Sequence, residues 1–320
     1  MVNWVEAQKP LIHFFAKKAG LRQHLVELDS DTAINFWIPK EKMAKHKSIN
    51  DEVAPDQGRS KGKEPKPAVV LVHGFATDGI VTWNFQVGAL TKEYDVYVPD
   101  LLFFGGSTTK CSDRTPGFQA ECIMDALGRL GVKKCAVVGF SYGGFVAFKM
   151  AEARPGLVRS VVVSGSSVAM THSINKETTD RLGFSSSAEL LLPETVEGVK
   201  ALFLITTHKG WWIPKFLYKD FLKVMFKNRK EKLELLKGLL INDKDSKIPI
   251  LPQRILLLWG ENDKLFQIKH AEDMKEQLGE KTALQSIKKA GHLVHLERPC
   301  VFNRHLKEFL ANVHAEVSQD

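Results

Sequence analysis

Val137-Val138-Gly139-Phe140-Ser141-Tyr142-Gly143-Gly144-Phe145 is the stretch whose reading decides the fold. An apolar run, 134–138, leads into it, and an amphipathic run, 142–153, leads out. That context is a strand, a sharp turn and a helix, with G-x-S-x-G at the turn. Small flanking residues permit the strained backbone such a turn imposes on its central residue, and the turn lifts the Ser141 hydroxyl clear of the sheet edge. Ser141 is therefore the candidate nucleophile. An unactivated serine is a poor nucleophile at neutral pH, so the chain must also supply a base and a carboxylate to orient it. Without them the stretch is only a glycine-rich connection.

Upstream, Ala68-Val69-Val70-Leu71-Val72 reads as a parallel strand buried on both faces, ending in His73-Gly74-Phe75. Gly74 lets the backbone turn, which aims the Phe75 amide at the space above the sheet where an oxyanion could accept it. A helix over 82–91, a strand over 94–99 ending in Asp100, a helix over 118–130 and, past the nucleophile turn, a strand over 158–164 continue the pattern. Alternating strands and helices predict a parallel sheet with helices on both faces, whose ligands bind beyond the carboxyl ends of the strands. His73, Asp100, Ser141 and Ser164 all fall at those ends.

The alternation stops over 167–252, a stretch of helical periodicity that reads as a helical cap (lid) inserted in an α/β core made of residues 1–166 and 253–320. Within it Leu217, Phe221, Val224 and Met225 share one helix face, while Lys215, Lys219, Lys223 and Lys227 repeat on another. Trp211, Trp212, Phe216 and Phe203 either line an apolar substrate pocket beneath the cap or form the cap's own core. The lysine stripe reads first as a solvated face, with attraction to an anionic membrane surface as the alternative. The alternation resumes with a strand over 254–259 followed by Gly260-Glu261-Asn262-Asp263. Asp263 stands just past a strand end; the earlier strand ending at Ser164 is followed by Gly165-Ser166-Ser167 and offers no acid. A helix over 268–278 and a strand over 283–287 lead to Gly291-His292, and a final helix runs to about residue 315. His292, after a glycine in a loop at a strand end, can reach Ser141 as base, whereas His295 falls near the first turn of the last helix and reads as structural.

At the amino-terminal side, 24–28 and 32–38 read as strands joined by Asp29-Ser30-Asp31, and the polar, lysine-rich 40–67 as a long loop. Residues 2–18 form an amphipathic helix interrupted at Pro10. It serves either as a membrane-surface anchor or as packing against the domain, and the mixing of basic and apolar positions favours packing.

Composition excludes several classes. In 320 residues no apolar run approaches the roughly 18 residues of a spanning helix. The net charge of +8 is concentrated locally, nine basic against three acidic side chains between 209 and 237, and no nucleic-acid motif accompanies it. Cys111, Cys122, Cys135 and Cys300 are scattered without metal or redox spacing, as expected of free thiols in a reducing compartment. The first 20 residues lack a signal peptide's apolar core, so a cytoplasmic address is expected by default.

Taken together, His73-Gly74-Phe75, Gly139-Phe140-Ser141-Tyr142-Gly143-Gly144, Trp259-Gly260-x-x-Asp263 and Gly291-His292 with Glu297 and Pro299 make the chain resemble the α/β-hydrolase superfamily from about residue 25 to 315. Within it, Pro99 to Ser107 and Gly291 to Pro299 are similar to plant members described as monoacylglycerol-lipase-like or ring-cleavage-hydrolase-like. The resemblance implies Ser141 as nucleophile, His292 as base, Asp263 as its orienting acid, the Phe75 and Tyr142 amides as an oxyanion hole, and no metal or organic cofactor. It implies a serine hydrolase acting on a small-molecule ester; peripheral membrane contact through the basic cap is the alternative reading of the lysine stripe, and the oligomeric state is left open. Hydrolase-fold receptors that signal through the cap, and acyltransferases, use the same framework and stand as alternatives. Epoxide hydrolases of this fold place an aspartate where Ser141 stands. Carbon–carbon bond hydrolases differ at Phe140, Tyr142 and Leu293, and hydroxynitrile lyases place a lysine at Leu293.

Overall fold

A computed structural model of the protein describes residues 3–47, 66–210 and 213–317. In chain order the elements before the nucleophile turn are α1 (Trp4–Lys18), β1 (Leu21–Glu27), β2 (Thr32–Pro39), α2 (Lys40–Lys47), β3 (Ala68–Val72), α3 (Gly79–Thr82), α4 (Asn84–Leu90), β4 (Asp95–Pro99), β5 (Thr108–Thr109), α5 (Pro116–Arg129) and β6 (Cys135–Phe140). After it come α6 (Tyr142–Ala153), β7 (Val158–Ser164), β8 (Met170–Thr171), α7 (His172–Leu182), α8 (Ser187–Leu191), α9 (Val196–Thr206), α10 (Lys215–Met225), α11 (Arg229–Leu239) and β9 (Leu240–Ile241). The chain closes with β10 (Arg254–Gly260), α12 (Ile268–Leu278), β11 (Thr282–Ile287), α13 (Val294–Glu297) and α14 (Pro299–Val317).

The main sheet runs β1-β2-β4-β3-β6-β7-β10-β11, with β5 on β2. β1, β2 and β5 pair antiparallel and the remaining strands parallel. This is the α/β-hydrolase fold that the sequence predicts. The period of two explains its two cores. Val70 and Val72 of β3 join Val137, Val161 and Leu257 on the face covered by α5, α6 and α12. Val69 and Leu71 join Val138, Val162 and Leu258 on the opposite face, under α4 and α14. The strand order reverses across the β3–β6 pair, so Phe75 and Ser141 leave the sheet side by side at its carboxyl edge.

Several expectations need correction. The helix expected over 82–91 is two short ones, α3 and α4, broken at Trp83, whose buried indole packs on His295, Phe140 and Phe302. α1 is continuous through Pro10. A proline there removes one intrahelical bond, and contacts of α1 with α10, α4 and α3 hold the helix across that gap. Residues 40–47, expected in a loop, are helical, and most of the remaining loop lies outside the described residues. The last helix is split into α13 and α14 before Pro299. A two-residue ladder, β8 with β9, ties the start of the helical insertion to its end; so short a pairing has no periodic signature in sequence. All four cysteines are free. Among the described residues no helix is long and apolar enough to cross a membrane.

Candidate active site

The turn after β6 has the predicted geometry. Ser141 adopts φ 52°, ψ −121°, a conformation a non-glycine residue enters only at a cost of about 1–3 kcal/mol. It is held there by its amide, which donates to the Ser164 carbonyl (2.9 Å), and by the immediate start of α6 at Tyr142. Gly74 is required by close approach: a Cβ there would lie 2.9 Å from the Phe140 ring and 3.2 Å from Ser141 Cβ. The loop after β3 therefore lies directly against the serine. Neither the Phe75 nor the Tyr142 amide finds an acceptor among the described residues. Two free amides beside the nucleophile are what a developing oxyanion requires.

His73 and Asp100, which the sequence also places at strand ends, brace this loop and do not line the cavity described below. The Leu101 amide donates to His73 Nε2 (2.9 Å), so Nδ1 carries the proton and donates to the Gly74 carbonyl (2.6 Å). Burial pushes His73 down to about 4, which keeps it neutral. The Asp100 carboxylate accepts from Asn35 Nδ2 (2.7 Å) and from the Gly79 (2.9 Å) and Gly106 (3.1 Å) amides, tying β2, α3 and the loop after β4 together. Burial, reinforced by the negative Asp78, raises it to about 6 despite those three bonds.

Asp263 and His292 meet although 29 residues separate them: His292 Nδ1 lies 2.8 Å from Asp263 Oδ2, both side chains buried. The other oxygen, Oδ1, accepts from the Leu265 (2.8 Å) and Phe266 (3.0 Å) amides. An acceptor-only carboxylate puts the proton on Nδ1 and leaves Nε2 with a free lone pair, the state a general base needs. The ring is stacked on Phe266 (5.9 Å, 23°) and tilted on Phe140 (4.9 Å). Its loop is tied down by Glu297, which accepts from the Gly291 (2.6 Å) and His208 (2.8 Å) amides, and by the Leu293 amide donating to Thr206 (3.0 Å). Gly165 sits behind the pair at φ +56°; a Cβ there would lie 2.7 Å from the His292 ring and 3.2 Å from Asp263 Oδ2. Gly165 and Phe266 escape sequence reasoning as contributors, and Asp100, which the sequence places at a ligand-binding strand end, braces the loop instead. The only available signal was the small Gly165-Ser166-Ser167 run after β7. His295 is fully buried against Trp83 (5.2 Å) and Phe140 (4.3 Å), and burial pushes it to about 3; it belongs to the packing, as expected.

Ser141 and His292 face one cavity of about 480 Å³. Leu202, Phe203, Val224 and Met225 of the insertion form its apolar wall, and Val5, Gln8, Lys9 and Ile12 of α1 form part of its rim. Phe203 both lines the cavity and packs with Val199 and Tyr218 of the insertion. Phe216, expected to line it, does not: it lies on the outer side of α10, 53% exposed, because Tyr218 and Phe221 take the inward positions of that helix. Trp211 and Trp212 lie outside the described residues. Lys215, Lys219, Lys223 and Lys227 are exposed, as their spacing predicts. Among the described residues no group of three or more His, Cys, Asp or Glu side chains could hold a metal ion.

A strained serine at a strand-to-helix turn, an Asp–His pair from the last two strand ends and a helical insertion over the carboxyl edge define a hydrolase framework. Residues 69–305 match the model of the alpha/beta hydrolase family, and the chain belongs to that family. Human epoxide hydrolase 4 is 23% identical over 286 residues, covering 78% of this chain and 74% of that protein. Among solved structures, a lipase from Acinetobacter baumannii AYE described as putative superposes with a TM-score of 0.76 at 20% identity, covering 96% of this chain and 97% of that one. A membrane phospholipase A described as a bacterial virulence factor superposes at 0.74 with 22% identity, covering 97% and 92%. Membership of that family supports a hydrolase, and the structural likenesses show its fold.

Proposed function

We propose that the protein is a serine hydrolase that cleaves a carboxylic ester with an apolar acyl or aryl group through an acyl-enzyme on Ser141. The observation that carries this reading is the buried Asp263–His292 pair, 2.8 Å apart, with His292 lining the same cavity as the strained Ser141. Ser141 Oγ attacks the ester carbonyl while His292 Nε2 takes its proton. The oxyanion is received by the Phe75 and Tyr142 amides, and the alcohol leaves with the proton held by His292. Water, deprotonated by His292, then releases the acid and restores Ser141. Serine also separates this site from epoxide opening, despite the name of the human relative. Attack on an epoxide would leave an ether on Ser141, which water does not cleave, whereas a carboxylate nucleophile leaves a hydrolysable ester. The plant subgroup expected from residues 99–107 and 291–299 is carried within this proposal.

The test is labelling by a fluorophosphonate together with turnover of p-nitrophenyl esters of increasing chain length. Wild type labels and turns over, and His292→Ala does neither. A folded wild type inert to both the probe and every ester sinks the reading and favours a receptor.

We take the insertion, residues 167–252, as the cap, and propose peripheral contact of the cavity rim with a lipid surface. α1 packs inward through Ile12 and Ala16, yet it also exposes Trp4, Leu11, Phe14 and Phe15 (55–57% accessible). At helical spacing these four share one outward stripe, unlike the arrangement expected of simple packing. The exposed lysines of α10, the helix beside it, supply the attraction to anionic headgroups. Leu11→Asp combined with Phe14→Asp is expected to lower co-sedimentation with phosphatidylglycerol vesicles at least ten-fold. Unchanged co-sedimentation would remove the lipid surface from the proposal.

A further inference from the structure

The cavity contains one charge that neither the ester mechanism nor a carboxylate partner accounts for. Four charged residues other than histidine line it: Lys9, Asp78, Lys227 and Lys232. Lys9 is paired with Asp78 (3.4 Å), and Lys227 with Glu6 (3.1 Å). Lys232 of α11 is the most deeply placed, 4% exposed, and has no carboxylate within ion-pair distance among the described residues. Its ammonium donates once, to the Met225 carbonyl at the end of α10 (2.9 Å), and rests over the Phe104 ring (4.4 Å). A lysine needed only to cap α10 could extend its head to solvent along an apolar stem. This one is folded into an apolar cavity with hydrogen-bonding capacity to spare, since an ammonium carries three donors.

Burial lowers Lys232 to about 8, with the attraction of Asp78 opposing the shift and Lys9 adding to it. That is the signature of a cation lacking a close counter-ion. Phe104 in turn packs on Phe75 (5.6 Å) and His73 (5.2 Å). One aromatic ring therefore lies between the ammonium and the residue whose amide is assigned to the oxyanion.

We propose that Lys232 is the anion-recognising residue of the cavity, and that the ester this site takes carries one negative charge, a carboxylate or a phosphodiester, a short distance from its scissile carbonyl. The proposal rests on the ester-hydrolase reading for the word ester alone. The ammonium and the apolar walls define a subsite for an amphiphilic monoanion whatever chemistry follows. An uncharged ester of the same length would fill the walls but leave the buried charge without a partner, and that difference is the source of discrimination.

The experiment separates binding from turnover. Calorimetry on the full chain carrying Ser141→Ala compares monomethyl suberate with dimethyl suberate, and 1-hexanoyl-glycerophosphoglycerol with 1-hexanoylglycerol. The anionic member of at least one pair is expected to bind at least ten-fold tighter. The preference should fall to within about two-fold when Lys232→Met is added, and survive Lys230→Met, an exposed neighbour on the same helix. Lys232→Gln, which retains a donor for the Met225 carbonyl without the charge, serves where the methionine variant fails to fold. A preference confined to the first pair assigns the carboxylate, and one confined to the second the phosphodiester. Equal binding within both pairs, or a preference that survives loss of Lys232, overturns the subsite. A Lys232-dependent preference in a protein whose Ser141 form turns over none of the four esters and resists the fluorophosphonate leaves the subsite standing and removes the hydrolase reading.

Discussion

Ser141→Gly is expected to produce a protein that is more stable than its parent and inert toward esters. Ser141 holds φ 52°, ψ −121° with a side chain attached, a cost of about 1–3 kcal/mol that glycine does not bear. Glycine's extra freedom in the unfolded chain takes back about 0.5–1 kcal/mol, leaving a net gain on the order of 1 kcal/mol. In a domain of this size that is a rise on the order of 2 °C in Tm. Turnover falls by about 10⁴- to 10⁶-fold, because the nucleophile and its base act as a unit. Ser141→Ala is the control: it removes the hydroxyl and keeps the strain, so it should lose the same activity without the gain in Tm. Thermal unfolding of the three proteins, measured alongside ester turnover, checks both halves. A glycine variant no more stable than the alanine variant would mean that the turn stores no strain.

How much of this was legible in the sequence depended on whether the determinant was local. The central strands were readable because burial on both faces demands continuous apolar runs, and β3, α6, β7 and α12 fall where the residues predict. Candidate triad positions were legible for the same reason: a strand end is a local event, and Asp263 and His292 each follow one. What could not be read was set by distant partners. Gly165 matters because His292 and Asp263 come to rest against it, 127 and 98 positions away in the chain. Asp100 looked like a ligand-end acid, yet its hydrogen bonds go to Asn35, Gly79 and Gly106, which the sequence does not link. Aromatic character alone puts Phe216 beside the cavity, whereas the side of α10 that faces the domain is settled by Tyr218 and Phe221 packing on Phe203.

The helical insertion, proposed above as the cap, also holds the loop that carries His292. At the end of α9, the Thr206 carbonyl accepts from the Leu293 amide and the His208 amide donates to the Glu297 carboxylate, both just past His292. Displacing α9 would therefore disturb the base as well as the cavity wall. On the proposed function, substrate fit in the insertion would be coupled to the alignment of His292 through these hydrogen bonds, the way remote contacts reach a reacting centre.

Asp263→Asn should cost turnover about 10⁴-fold while leaving the fold intact, and the reason lies in the carboxylate's divided duties. Oδ1 accepts two amides, Leu265 and Phe266, and Oδ2 accepts the His292 Nδ1 proton. An asparagine has one acceptor oxygen and one amino group. Turning the oxygen toward His292 would point two N–H donors at two backbone N–H donors, leaving buried groups unpaired at about 1–3 kcal/mol each. The stable arrangement keeps the oxygen on the backbone amides and presents the amino group to Nδ1. His292 must then carry its proton on Nε2, the nitrogen that has to accept from Ser141, and the base is lost without any change of shape. The expected signature is a fall in kcat with KM and Tm nearly unchanged, together with loss of fluorophosphonate labelling at neutral pH. Nitrogen-15 shifts of the His292 ring check the cause directly: wild type should carry its proton on Nδ1, and the variant on Nε2. A variant that loses activity but keeps the Nδ1 tautomer would show that Asp263 acts by charge and not by orienting the ring.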